Sequence, residues 1–160
     1  MSTPQSPTQP AQVHKGLEGV VAGETSISDV DGQNCRLIYR GYHIDELAGN
    51  ATYEEVSYLL LYGTLPTRSQ LAEWTTQIEA SRPLEPELVA LLQAFPHKAD
   101  PMALLRTAMS AIGLYDPEVD QEALEALRRK AVRAMAKTPT IVAAIARFRS
   151  GASPIAPQAG

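Results

Sequence analysis

Residues 19–48, GVVAGETSISDVDGQNCRLIYRGYHIDELA, form the one stretch of this chain that does not read as helix. From Arg36 to Arg40, Leu37 and Tyr39 fall on one side of an extended segment and Ile38 on the other. That two-residue alternation of β-branched and aromatic side chains marks a short strand. Asp31-Gly32-Gln33-Asn34 ahead of it is a turn signal, because Gly and Asn tolerate positive φ and Asp and Asn bond back to their own backbone. Residues 25–30 can supply the partner strand, giving a hairpin over about 19–41. Gly41 stops the second strand, and residues 44–48 read as one helical turn closed by Gly49.

Downstream of the hairpin the pattern is helical. Thr52 and Glu55 form a T-x-x-E capping box that opens a helix over 53–62. Val56, Tyr58, Leu59, Leu60 and Leu61 leave that helix apolar on most sides, so it is expected to be buried rather than half-wet. Gly63 and Pro66 stop it. A second cap, Thr67 with Gln70, opens a helix over 68–81, with Leu71, Trp74, Thr75 and Ile78 on one inward stripe. Pro83 ends it. Pro86 then takes a first-turn position, where a missing N–H costs nothing, and a short helix over 86–95 follows.

Asp100-Pro101, an N-cap followed by proline, opens the most apolar helix, over 101–114. Met102, Leu105, Met109 and Ile112 line one of its faces, and Ala103, Ala108 and Ala111 are small enough for close helix contact. From about residue 120 to 149 the pattern is helical again, with Leu124, Leu127, Ala131 and Met135 on one stripe. Beyond Pro139 the periodicity continues through Ile141, Val142, Ile145 and Phe148. One long helix kinked at Pro139 accounts for this, as do two helices meeting there. Residues 1–15 carry Ser, Thr, Pro and Gln with little to bury and read as a disordered lead, and residues 152–160 as coil. The fold class that emerges is mainly α, a helical bundle with a small N-terminal β-hairpin.

Composition sets broad limits. A chain of 160 residues, 44% hydrophobic and 20% charged, suits one globular domain with a real core. No apolar run is long enough to span a bilayer, the lone Cys35 excludes an internal disulfide framework, and the expected location is cytoplasmic. Cys35 reads as a bystander at a turn rather than a reactive thiol. The net charge of −4 is unevenly divided: residues 1–125 hold all 18 acidic and seven basic residues, −11, and residues 126–160 hold seven basic residues, +7. Arg128, Arg129, Lys130, Arg133 and Lys137 read as the solvent coat of a helix, and the acidic pI with no interleaved aromatics argues against nucleic-acid binding.

The residues show no Gly-rich phosphate loop, metal-spaced Cys/His cluster or nucleophile elbow. His14, His43 and His97 fall in a tail, after a strand and in a Pro-flanked loop, and none has a partner at ligand spacing. Glu54 and Glu55 point to different helix faces. Spacing alone therefore implies a soluble helical domain and no catalytic, substrate-binding, cofactor-binding or metal residues.

Four ordered blocks carry a resemblance. They are residues 16–48, GLEGVVAGETSISDVDGQNCRLIYRGYHIDELA; residues 54–71, EEVSYLLLYGTLPTRSQL; residues 100–113, DPMALLRTAMSAIG; and residues 136–151, AKTPTIVAAIARFRSG. Together they resemble the opening part of the citrate synthase family, including its 2-methylcitrate-forming relatives, over residues 16–151. The resemblance implies the first part of that family's large helical domain. It also implies an acyltransferase chemistry of the tricarboxylic acid cycle, in which acetyl-CoA condenses with oxaloacetate to citrate and CoA. In that family no metal or other cofactor takes part: an aspartate deprotonates the acetyl methyl, histidines stabilise the enolate and activate the ketone, and arginines hold the carboxylates.

No residue of this chain matches those groups, so none is carried over. Where the family usually has His-Pro-Met, this chain has Asp100-Pro101-Met102. Segments like 101–114 and 121–149 belong in the family to a helical layer joining two subunits of a homodimer. Self-association through Met102, Leu105, Met109 and Ile112 follows as an expectation, as does a missing C-terminal catalytic part. The donor, acetyl-CoA or propionyl-CoA, stays open, and a non-catalytic helical interaction module derived from the family is the alternative. Membrane and nucleic-acid partners are not expected.

Overall fold

The turn signal at residues 31–34 folds as an Asx-type loop in the computed structural model, which describes residues 16, 21 and 23–158. Asp31 accepts from the Gln33 and Asn34 amides at 3.1 and 3.2 Å and from the Asn34 side chain at 2.7 Å. Cys35 closes the loop at φ +52° and is exposed, a turn residue as expected. The loop joins β1 (Ser28–Asp31) to β2 (Arg36–Tyr39) in antiparallel register, Ser28 opposite Tyr39 and Asp31 opposite Arg36.

The sheet has a third strand that the sequence reading lacked. Gly41 does not simply stop β2. Arg40 at φ +49° and Gly41 at φ +93° turn the chain back, and β3 (Tyr42–His43) pairs with β2. Positive φ at both central residues gives a two-residue turn whose twist matches the flanking strands. Gly accepts that conformation freely, whereas Arg in it costs about 1 kcal/mol. The Arg40 side chain offsets the cost by donating to the Leu60 carbonyl at 2.9 Å and to Ser26 Oγ at 2.7 Å. This clamp ties the sheet to the helical body. The described strands thus begin at Ser28, later than the expected hairpin start, and residues 1–15 with His14 lie outside the described residues.

Six α-helices follow among the described residues. His43 caps the five-residue α1 (Ile44–Ala48), with Glu46 bonding back to its amide at 2.9 Å. Thr52 with Glu55 caps α2 (Tyr53–Tyr62), and Thr67 with Gln70 caps α3 (Arg68–Ala80), each a reciprocal capping box. Such caps contribute about 1 kcal/mol apiece. Gly63 ends α2 at φ +88°, its amide bonded to the Leu59 carbonyl. Pro86 opens α4 (Pro86–Ala94), and Asp100 caps α5 (Pro101–Ala111) by accepting from the Ala103 amide at 2.9 Å. A 3₁₀ turn, Ile112–Tyr115, shortens the expected 101–114 helix, and α6 (Leu124–Arg149) begins four residues later than expected. The turns of residues 116–123 occupy the difference, with Asp116 accepting from the Glu118 amide at 2.8 Å.

The long helix α6 carries two separate cores. Its first half packs Val132 and Ala136 against Trp74 and Ile78 of α3, with Tyr58 and Tyr62 of α2 closing the side. Trp74 is buried, donates Nε1–H to Ser57 Oγ at 3.0 Å, and meets both tyrosine rings edge-on. Its second half packs Ile141, Ala144 and Ile145 against Leu88 and Leu92 of α4 and Leu104, Ala108 and Ala111 of α5. Each fully buried Leu or Ile contributes about 1.5–3 kcal/mol.

Three faces differ from the sequence reading. Helix α2 fully buries only Ser57 and Leu59; Tyr58, Leu61 and Tyr62 are partly buried against α3 and α6, and Tyr53 stands exposed. In α5 the inward positions are Leu104, Ala108 and Ala111; Leu105, Met109 and Ile112 pack at the margin, and Met102 is 69% exposed. In α6 the inward face is Ala126, Val132, Ala136, Ile141, Ala144 and Ile145, leaving Leu124 63% exposed and Leu127 and Val142 partly so. Small side chains won the inward positions because they let neighbouring helices approach closely.

Pro139 lies inside α6 without interrupting it. It occupies an exposed position between the two cores, where water reaches the turn whose backbone bond it removes. Thr138 returns its hydroxyl to the Ala134 carbonyl at 2.7 Å in the same turn. Pro139→Ala is expected to keep the fold and raise unfolding stability by about 1–2 kcal/mol, restored helix propensity less the added freedom of the unfolded chain. Urea denaturation followed by the fluorescence of the single tryptophan measures it; a loss of stability would show that the proline is required.

Candidate functional site

The basic residues of α6, read from the sequence as a solvent coat, make specific partners: Arg129 stays exposed, Arg128, Lys130 and Arg133 are half-buried and Lys137 is buried. Arg133 forks onto Asp116, at 2.9 and 2.7 Å, and reaches Glu118 at 2.9 Å. Arg129 holds Glu118 through two nitrogens, at 2.5 and 3.0 Å. Lys130 donates to the carbonyls of Val119 and Gln121 at 3.1 and 2.6 Å. Arg128 pairs with Glu125 at 2.5 Å and places its guanidinium 4.6 Å from the Tyr62 ring centre. Arg129, Lys130 and Arg133 therefore fold the 116–123 turns back onto the start of α6, while Arg128 faces Glu125 and α2. Bidentate Arg–carboxylate geometry makes these stronger than ordinary surface pairs.

The cluster shifts its own titrations. Hydrogen bonding by Arg129, and then by Arg133, draws the Glu118 carboxyl down from 4.5 to about 2, against the opposing effect of burial. Burial pushes Asp116 up, but bonds from Arg133 and the Glu118 amide outweigh it and hold it below the usual range. Tyr62 is raised, first by burial and then by the Glu125 charge. Each cation here has a partner within the chain, Arg128 Nε alone being buried without one among the described residues, and the cluster acts as a clasp.

Lys137 is the residue the sequence reading placed most wrongly. It is 8% exposed, and its ammonium bonds the Glu85 carboxylate ahead of α4, leaving Glu85 Oε2 buried with no hydrogen-bond partner among the described residues. The signal was present: Lys137, Ile141 and Ala144 stand at i, i+4 and i+7, the spacing of one inward face. The pair sits where the two cores meet.

The histidines serve as structural ends. His43 caps α1, and His97, exposed, contacts the Phe148 carbonyl through Nδ1 at 2.5 Å. Arg149 bonds the Ala99 carbonyl beside it, so the α4–α5 loop is fastened to the end of α6. Among the described residues no group of three or more His, Cys, Asp or Glu side chains is placed to hold a metal ion. No described helix is long and apolar enough to cross a membrane. An apolar groove of about 730 Å³ is bordered by Tyr53, Ile78, Met135, Pro139, Val142 and Ala143. A smaller one, of about 200 Å³, lies between Met102 and Leu105 of α5 and Val142 and Ala146 of α6.

The described fold is similar to that of solved citrate synthases. The structure matches the citrate synthase from Pyrobaculum aerophilum with a TM-score of 0.83 and 41% identity, covering 89% of this chain and 38% of that one. It also matches the Thermoplasma acidophilum citrate synthase with a TM-score of 0.85; at 23% identity that likeness speaks to fold alone.

In sequence, the family model described as "Citrate synthase, C-terminal domain" matches residues 16–160, and the chain belongs to the citrate synthase family. It is 42% identical to the 2-methylcitrate synthase of Mycobacterium tuberculosis H37Rv over all 160 residues. It is 41% identical to the citrate synthase of Mycolicibacterium smegmatis over 155 residues, 97% of this chain. The chain spans about two fifths of the length of these relatives, 40% and 41%.

Two outcomes test the electrostatic reading. Glu118 and Asp116 are carboxyls whose folded pKa is depressed, so the stability they contribute is present above the ordinary carboxylate range and lost as pH falls. For Glu118 the loss runs from about 4.5 towards about 2. Glu118→Gln with Asp116→Asn should flatten the acid limb of a stability–pH curve in that window, and an unchanged limb overturns the clasp. Lys137→Ala should cost about 3 kcal/mol in chemical denaturation by leaving the Glu85 charge partly buried, while the apolar pair Lys137→Met with Glu85→Leu should recover most of it.

Proposed function

We propose that this chain is the N-terminal segment of a citrate synthase-like acyltransferase. In this reading the whole protein joins the acetyl methyl of acetyl-CoA to the ketone carbon of oxaloacetate and hydrolyses the resulting thioester to citrate and CoA. The observation that carries it is the 42% identity over the entire chain to a relative of which it covers only 40%. Resemblance that is continuous here and confined to part of the relative fits a scaffold whose reacting groups come from elsewhere. Citrate and 2-methylcitrate synthases match almost equally, at 41% and 42%, so propionyl-CoA is an equal candidate for the donor.

In its own residues the segment supplies position. The clasp on α6, the Lys137–Glu85 pair and the fastening of the α4–α5 loop hold α4, α5 and α6 in fixed relation. At the start of α5, Asp100 keeps the N-cap while contributing no imidazole. The purified 160-residue chain is expected to release no CoA from acetyl-CoA or propionyl-CoA with oxaloacetate in a thiol-release assay, for want of a base and enolate-stabilising donors. Turnover proportional to protein and free of host enzyme overturns this.

The second part of the proposal is self-association, supported by the exposure of Met102 at the edge of the Met102, Leu105, Met109 and Ile112 stripe and the shallow cleft it shares with Val142. Apolar surface of this kind drives association when it is continuous over a few hundred Å², and a net charge of −4 opposes it weakly. Sedimentation velocity on the chain should show a dimer or larger species. Met102→Lys with Val142→Lys should shift it to monomer with the circular dichroism of a folded protein. A wild-type monomer that binds no hydrophobic dye removes the proposal and favours a self-contained helical module.

A further inference from the structure

We draw no further inference here: the strongest candidate, the apolar groove that α2, α3 and the outer face of α6 form beside Pro139, is an unpartnered face, and nothing in the structure shows what covers it.

Discussion

The inner face of α6 is the constraint on which the described structure depends. Helices α3, α4 and α5 all pack on it, and α2 reaches it through Trp74 and the two tyrosines. A 26-residue helix can serve so many partners only if its inward positions stay narrow. Ala126, Ala136 and Ala144 at the buried sites meet that need, while Val132, Ile141 and Ile145 fill the spaces between them. Removing methylenes from such a close-packed seam costs cavity as well as transfer energy, and adding them forces helices apart.

The two cores on α6 are separate clusters, and what joins them is partly polar. Lys137 and Glu85 bond across the junction, two residues from the exposed Pro139. A buried ion pair is seldom a net source of stability, because desolvation offsets most of the attraction. Its consequence here is geometric: it ties the link ahead of α4 to one level of α6, and with it the relation between the two clusters. The clasp of Asp116 and Glu118 by Arg129 and Arg133 acts likewise at the other end, folding the 116–123 turns against the helix they lead into. Both use charges that sequence order keeps far apart.

Caps, turn residues, small inward side chains and one proline-bearing helix organise the described residues. Each arginine of the α6 cluster pairs with a carboxylate within the chain itself, and Arg128 also faces the Tyr62 ring.

What the sequence by itself determined was local. The Asp31–Asn34 loop, the Thr52 and Thr67 capping boxes, the Asp100 cap and the first-turn prolines each act within four residues, and each formed where the side-chain chemistry required. The resemblance in residues 16–151 likewise supplied the family. What only the tertiary structure decided was which side of each helix faces inward. Helices α5 and α6 carry apolar residues around much of their circumference, so periodicity admits more than one stripe; close approach of neighbours selected Ala108 over Met102 and Ala126 over Leu124. The third strand depended on Arg40 finding the Leu60 carbonyl 20 residues away. The cations of α6 depended on carboxylates 11, 17 and 52 residues distant. Contacts of that range have no signature in a local pattern, because their partners are fixed only once the chain is packed.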